Sequence, residues 1–259
     1  MVTGAGSGIG EAIARHAASR GMRVVLADVA EDRLAALDRD LTSAGHEVVA
    51  VPTDVTDPES VEALAEAAYR SFGHVSLLVN NAGLESLGNL WEIPVGDWDR
   101  LMSVNINGAF HGIRSFVPRM GADPRPSHVV NTTSVGGVGT TPGMGAYTVS
   151  KHGLQAMTEC LHLECAQSFP QIAVSAFVPA HVKSRIFEDV QPDGGNDDAV
   201  EFWRGELREK GMEAEDAATI LFDGIDNKDF WIITHAESFD RIAGRRSRIL
   251  AGALAPDEE

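Results

Sequence analysis

Tyr147 and Lys151 stand four residues apart, just after a glycine- and proline-rich stretch that follows Ser134. On a helix this spacing places a phenol and an ammonium on one face. A free tyrosine ionises near pH ~10, too high for a base at neutral pH. A fixed cation beside it stabilises the phenolate and lowers that value. The pair is therefore a candidate proton-transfer device. Ser134 closes the apolar run His128 to Thr133, and the loop after it can fold the hydroxyl back to hold a substrate oxygen beside the phenol. An ordinary surface pair on a helix fits the same two-residue pattern, so the assignment depends on the rest of the chain.

Elements able to position such a site are legible on both sides of it. Near the start, Thr3-Gly4-Ala5-Gly6-Ser7-Gly8-Ile9-Gly10 opens an amphipathic pattern running to about Arg20. Glycines allow a tight turn and close approach to a pyrophosphate, and a helix N-terminus adds free N–H groups and a positive dipole end. An apolar strand follows at Arg23 to Ala27 and ends in Asp28, 18 residues after Gly10. A carboxylate there accepts hydrogen bonds from an adenosine ribose hydroxyl and opposes a 2′-phosphate. No Arg or Lys stands in the glycine loop, at Ser7 or directly after Asp28. The expected cofactor is NAD, with NADP disfavoured. A helix cap or a polar strand end is the plainer account of Asp28. One oddity is that only Met1 and Val2 precede the glycine loop, where a central strand of ~5 residues is expected. Either the natural chain begins upstream or the sheet centre is weakened.

The chain then alternates. Helices are expected at Ala30–Ala44, from Asp57 to about Phe72, from Asp97 to about Met120 and from Ala146 to about Ser168. Asp57 is the cap of the second, with Pro58 at its first position. Strands are expected at Glu47–Val51, Val75–Val79, His128–Thr133 and Ile172–Val178. Asn80-Asn81-Ala82-Gly83 ends one strand, where short amides can tie neighbouring strand ends together or simply make a turn. Asn105 falls inside a helix, where an amide competes with the backbone. A kink that frees a backbone carbonyl to bind water would explain it; so would a tolerated, partly buried amide.

The C-terminal part changes character. Glu188 to Asp198 is acidic, without apolar period, and reads as a mobile loop. A short helix carrying Phe202 and Trp203, a helix at Ala214–Asp226, a strand at Phe230–Thr234 and a basic amphipathic helix at Ser238–Leu250 complete the chain. Phe187, Phe202 and Trp203 suggest an apolar lid at about residues 185–212, or a small core of the lid's own. A substrate pocket is expected between the loop after Gly83, Met144, His181 and this lid. Strands alternating with helices, no fixed repeat and no linker indicate an α/β fold. It is a single doubly wound Rossmann-type parallel sheet flanked by helices, one domain over residues 1–259.

Composition narrows the function classes. The net charge is −17, from 21 Lys and Arg against 38 Asp and Glu. Such a surface repels nucleic acid and anionic membranes, so neither is an expected partner. No apolar run is long enough to cross a bilayer, and no secretory signal is visible. Cys160 and Cys165 are five apart on an expected helix and read as buried thiols, consistent with a reducing, cytoplasmic location. The nine histidines form no ligand cluster, and no metal is expected.

Taken together, Thr3-Gly4-x-x-x-Gly8-x-Gly10, Asn80-Asn81-Ala82-Gly83, Asn105, Ser134 and Tyr147-x-x-x-Lys151 resemble the short-chain dehydrogenase/reductase family, in its roughly 250-residue branch. The resemblance covers about Thr3 to Ser184. It implies hydride transfer between a nicotinamide cofactor and a secondary alcohol or ketone. Tyr147 would be the general acid/base and Ser134 would position the substrate oxygen. Lys151 would bind the nicotinamide ribose, and Asn105 would hold a water through its main chain. Expected cofactor contacts are Gly4, Ser7, Gly8, Ile9, Gly10, Asp28, Asp54, Val55, Asn81, Ala82, Gly83, Tyr147, Lys151, Pro179, Val182 and Ser184. Asp54 and Val55 would flank the adenine; Val182 and Ser184 would meet the nicotinamide carboxamide. The resemblance also implies a homodimer or homotetramer acting on a small, apolar alcohol or ketone. Pro179-Ala180 replaces a usual Pro-Gly, Ser184 a usual Thr, and the common Asp-Gly-Gly ending is missing. A dinucleotide-binding redox sensor without turnover is the alternative, although a sensor has no use for the Ser134, Tyr147 and Lys151 set.

Overall fold

The computed structural model describes residues 1–188, 190, 197–253 and 255. Strands β1 (Val2–Thr3), β2 (Val24–Asp28), β3 (Val48–Pro52), β4 (Leu77–Asn80), β5 (Ser127–Thr132), β6 (Ile172–Val178) and β7 (Trp231–Ile233) form one sheet. Its order is β3-β2-β1-β4-β5-β6-β7 and every pairing is parallel. Chain direction across the sheet therefore reverses between β1 and β4, the switch point where open α/β sheets bind ligands.

Both faces are covered, as the near-continuous apolar character of the strands requires. Helices α1 (Gly8–Ser19), α2 (Glu31–Ser43) and α8 (Ala214–Asn227) bury Ile13, Leu34, Leu37, Leu221 and Phe222 against one face. Helices α3 (Pro58–Phe72), α5 (Gly108–Gly121) and α6 (Gly145–Ser168) bury Leu64, Phe116, Met120 and Leu161 against the other. The start of α3 follows its sequence signal: the Asp57 side chain accepts from the Glu59 amide at 2.9 Å, with Pro58 in the first turn.

β1 is only two residues long, but its pairing reaches further. The Met1 amine donates to the Leu77 carbonyl at 2.8 Å, the Met1 carbonyl accepts from Val79, and the Ala5 amide donates to Ala27. The centre of the sheet is thus hydrogen-bonded from Met1 to Ala5.

Three expectations are corrected. The helix expected from Asp97 begins at Val95 and is not continuous: α4 (Val95–Met102) passes into a π-helical turn, Ser103–Asn107, before α5. The helix bearing Phe202 and Trp203 is not short, since α7 spans Asp197–Lys210. Cys165 is buried, but Cys160 is exposed, because the two lie on different faces of α6. The loop expected at Glu188 to Asp198 lies largely outside the described residues, apart from Glu188, Val190 and the start of α7. The last helix, α9 (Ala236–Leu250), follows β7.

Candidate active site

The C-terminal ends of β1, β2, β4 and β5 open into a crevice of about 510 Å³, within the usual range for ligand pockets. Its walls include Gly4, Ser7, Ile9, Asp28, Asp54, Val55, Asn81, Ala82, Gly83, Tyr147, Lys151, Pro179 and Ser184. Most of the residues expected at a cofactor are thus brought to one cavity from six separate chain segments.

The glycine loop needs its glycines for two reasons. Gly8 has φ +53°, and a Cβ there would sit 2.9 Å from the Ser184 Cβ, which strain and crowding both oppose. Gly10 is not a wall of the crevice. A Cβ on it would run into the Gly4 carbonyl oxygen and lie 2.6 Å from Asn81 Nδ2, so it lets α1 seat against the end of β1. No side chain caps α1 at Ser7, which leaves its first amides for an anionic ligand.

Asp28 does two things at once. One carboxylate oxygen accepts from the Gly6 amide at 2.8 Å; the other accepts from the Ala30 amide at 2.8 Å at the entry to α2. The plainer cap reading is therefore partly realised, and lone pairs remain to face the crevice. Arg33, one turn into α2, also lines this end. The helix turn, and not adjacency to Asp28 in the sequence, brings it there.

The strand-end amides tie the switch point together. Thr3 Oγ1 accepts from the Asn81 and Ala82 amides at 2.9 and 3.1 Å. Asn81 Nδ2 donates to the Thr3 carbonyl at 3.1 Å, and Asn80 Nδ2 donates to Asn131 Oδ1 at 2.8 Å. Asn105, 1 % exposed, sits in the π-helical turn. Its Oδ1 accepts from the Leu84 amide at 2.8 Å. Its Nδ2 donates to the Leu84 carbonyl and to Ser150 Oγ, both at 2.9 Å. Ser150 Oγ in turn donates to the Tyr147 carbonyl at 2.7 Å. The amide therefore clamps the loop after Gly83 to the helix that carries the phenol. This use of Asn105 was not foreseen; its cost inside a helix was the visible signal.

Ser134, Tyr147 and Lys151 are all buried and adjacent. Ser134 Oγ accepts from the Gly136 amide at 3.1 Å and stands near enough to the Tyr147 hydroxyl to favour its ionised form. Lys151 Nζ donates to the Thr132 carbonyl at 2.9 Å and lies 5.6 Å from the centre of the Tyr147 ring. The expected lowering of the phenol is not found. Burial raises the Tyr147 pKa, the Glu85 carboxyl adds to the rise, and only the Ser134 hydrogen bond opposes it. Burial also takes Lys151 down to about 8, against the pull of Glu85. Desolvation disfavours both charged forms and outweighs an ammonium at this distance.

Glu85 is the residue that sequence reading missed. It follows Asn80-Asn81-Ala82-Gly83 by two positions and has no salt-bridge partner among the described residues. Burial pushes its carboxyl up to about 8, while the Ser86 amide and Lys151 work the other way. A second, smaller cavity opens here and shares Leu84, Arg100 and Ile186 with the crevice. Its other walls include Glu85, Ser86, Ile93, Pro94, Asp97, Leu101 and Val190. The expected pocket thus keeps its loop and lid walls and gains one from the start of α4. His181 is exposed and Met144 packs with the lid; neither lines this cavity. Val182 is buried in the core and its side chain does not reach the crevice. Phe187 and Trp203 stack in a small cluster with Leu87, Val190, Val200 and Leu207, while Phe202 is 59 % exposed. These aromatics are mainly the lid's own core.

Comparison with known proteins places the chain among similar sequences and folds. A family model described as short chain dehydrogenase matches residues 1–194. A 1-deoxy-11-beta-hydroxypentalenate dehydrogenase of Streptomyces avermitilis is 31% identical over 245 residues, covering 93% of this chain and 86% of that protein. A D-beta-hydroxybutyrate dehydrogenase of Rhizobium meliloti is 32% identical over 195 residues, 74% of each chain. Among solved structures, a short-chain dehydrogenase/reductase from Burkholderia phymatum in complex with NAD superposes with TM-score 0.95 at 37% identity. That match covers 100% of this chain and 95% of the other. A short-chain dehydrogenase from Sphingobium yanoikuyae in complex with NADPH gives TM-score 0.78 at 26% identity, covering 100% and 98%.

Proposed function

The chain belongs to the short-chain dehydrogenase/reductase family, and on that footing we propose that it interconverts a secondary alcohol and a ketone with NAD(H) as hydride partner. Homologues named as dehydrogenases and reductases support the oxidoreductase class. The observation that carries the reading is the buried cluster of Ser134, Tyr147 and Lys151, with the ammonium 5.6 Å from the centre of the phenol ring, beside a crevice walled in part by the glycine loop.

A bound nicotinamide would supply or accept the hydride. In reduction, Tyr147 gives its proton to the carbonyl oxygen as carbon receives hydride. In oxidation, the phenolate takes the hydroxyl proton as hydride leaves. Ser134 holds the same oxygen, where charge develops. Lys151 sits between the Thr132 carbonyl and the ring and balances the phenolate when it forms. Asn105 fixes the loop and helix on either side, and its π-helical turn is the place for a main-chain-held water. Because burial raises the Tyr147 pKa, the phenol suits the role of the acid in reduction.

NAD is favoured over NADP because the Asp28 carboxylate would lie against a 2′-phosphate. Arg33 at the same end is the counterweight. Second copies of the chain would cover Phe110, Val149 and Leu163, which are 49, 45 and 62 % exposed on α5 and α6; sedimentation would report a dimer or tetramer.

The test is Tyr147→Phe beside the parent, with a panel of secondary alcohols and both dinucleotides, followed at the nicotinamide absorbance. Turnover should fall by ~10²-fold or more while NADH affinity holds. A parent that binds NADH and oxidises no alcohol would favour the sensor reading instead.

A further inference from the structure

We propose that Glu85 is a specificity-determining residue: its carboxylate receives a hydroxyl carried by the substrate away from the reacting carbon, so the enzyme selects neutral diols and hydroxyketones over hydroxy acids. The inference rests on the dehydrogenase reading above and names the substrate class of that same site.

Four observations carry it. First, Glu85 lines the small cavity that adjoins the crevice and shares Leu84, Arg100 and Ile186 with it, so one molecule can reach both. Second, its acceptors are underused. The described hydrogen bond to its side chain is the Ser86 amide at 3.0 Å, and a carboxylate has about four acceptor sites. Third, the neighbouring Ser86 Oγ is buried with no hydrogen-bond partner, so a second polar atom at the same wall awaits one. Fourth, the loop is held in place: Asn105 clamps Leu84 through both its amide and its carbonyl. A preorganised acceptor beside an unsatisfied hydroxyl is a receptor for a donor group.

Charge sets the sign of the selection. Among the described residues lining this cavity, Glu85, Glu92 and Asp97 stand against the single cation Arg100, with Lys151 acting on Glu85 from the crevice. A substrate carboxylate would meet this acidic set and force Glu85 to keep a proton. Ile93, Pro94, Leu101, Ile186 and Val190 supply apolar walls for the rest of the molecule. Burial raises the Glu85 carboxyl to about 8, and a hydroxyl donor bound to it would favour its ionised form.

The test uses cyclohexanol, the cyclohexanediols and the hydroxycyclohexanecarboxylates as matched probes, above pH 8, where the Glu85 carboxyl is mostly ionised. Two readouts are taken on the parent, Glu85→Gln and Glu85→Leu: kcat/KM with NAD+, and the affinity of each probe for the protein–NADH complex by calorimetry. In the parent, the best diol should exceed both cyclohexanol and every hydroxy acid by about tenfold or more. Glu85→Leu should abolish the preference for the diol over cyclohexanol. Glu85→Gln should retain part of it and raise the hydroxy acids about tenfold relative to the diol. Circular dichroism, Tm and NADH affinity like the parent's distinguish lost recognition from a misfolded variant, and the assignment is read from the ratio of diol to cyclohexanol, whatever the shift common to both. Equal losses on all probes, or an unchanged ranking, would overturn the assignment. If no probe turns over yet the diols bind in the parent and not in Glu85→Leu, the dehydrogenase reading fails while the recognition site stands. Turnover without diol preference is the reverse failure.

Discussion

Replacing Asp28 by Ala separates the two roles the structure gives this carboxylate. It removes acceptors from the Gly6 and Ala30 amides, each bonded at 2.8 Å. Hydrogen bonds to a charged acceptor contribute about 1.5–3 kcal/mol each when buried. Asp28 is only half-buried, and about 1 kcal/mol apiece is the fitting figure. The expected loss is thus about 2 kcal/mol, or roughly 4–8 °C in Tm for a chain of this size. Asp28→Asn should be no better than Ala, because its NH2 group must face one of the two backbone donors it replaced an acceptor for.

The cofactor effect runs on a different quantity, the ratio of dinucleotide affinities. The variant loses an acceptor for the ribose hydroxyl of NADH, at least about 1.5 kcal/mol or roughly tenfold. It also loses the repulsion toward a 2′-phosphate, about 1–4 kcal/mol at ~4 Å. The lower end applies, since Arg33 is exposed and the site is screened. With Arg33 then unopposed, NADPH should gain about tenfold, and the NADH-to-NADPH preference should move by about a hundredfold. Calorimetric titration of both dinucleotides into parent and variant is the assay. Parallel weakening of both would mean that Asp28 merely orders the glycine loop. NADH affinity within about twofold of the parent would refute the ribose role outright.

Further expectations follow from single contacts. Gly10→Ala puts a methyl against the Gly4 carbonyl and Asn81, neither of which can withdraw; a loss of about 3 kcal/mol in chemical denaturation and of NADH binding is expected. Asn105→Asp keeps an acceptor for the Leu84 amide but turns a charge on the Leu84 carbonyl; kcat should fall more than KM rises, with NADH affinity nearly kept. Because burial raises the Tyr147 phenol, alcohol oxidation should accelerate with rising pH while ketone reduction holds level through neutrality, read from initial rates in both directions. Glu85, raised to about 8 from an ordinary 4.5, binds its proton more tightly folded than unfolded. Its contribution is complete below pH 4.5 and lost as pH rises towards 8, so Glu85→Gln should gain stability relative to the parent across that window.

What the sequence made legible was whatever depends on chain direction and local geometry. The glycine loop, the Asp57 and Pro58 helix start, the amides at Asn80 and Asn81 and the Tyr147–Lys151 spacing are each set by a few adjacent residues, and each stands in the structure where its pattern put it. The π-helical turn was visible only as a misplaced Asn105, because a backbone register shift leaves no periodicity of its own. Arg33 and Glu85 were missed for the same physical reason. Their relevance comes from helix and loop geometry that carries them into a cavity, and nothing in their immediate neighbours announces it. The lid aromatics were ambiguous because stacking on one another and covering a ligand demand the same side chains; Phe187 against Trp203 resolves it towards packing.

The protonation state of the site shows most clearly what spacing alone cannot supply. Tyr147 and Lys151 share a helix face, and proximity on that face suggests a lowered phenol. Yet the strength of that coupling depends on how much water surrounds both groups, and they are 8 % and 3 % exposed. Desolvation acts on the two with opposite sign in charge but the same sense in effect: each is driven towards its neutral form. Glu85 enters as a third titrating group from a segment more than sixty residues earlier, pushing the phenol up and the amine up together. A proton placed on any one of the three changes the other two, so the site titrates as a unit. It follows that a substrate hydroxyl that ionises Glu85 also strengthens Lys151 as a cation. The same binding event opposes the Tyr147 phenolate directly, because the Glu85 charge raises the phenol, so oxidation of a bound diol should need a higher pH than oxidation of cyclohexanol.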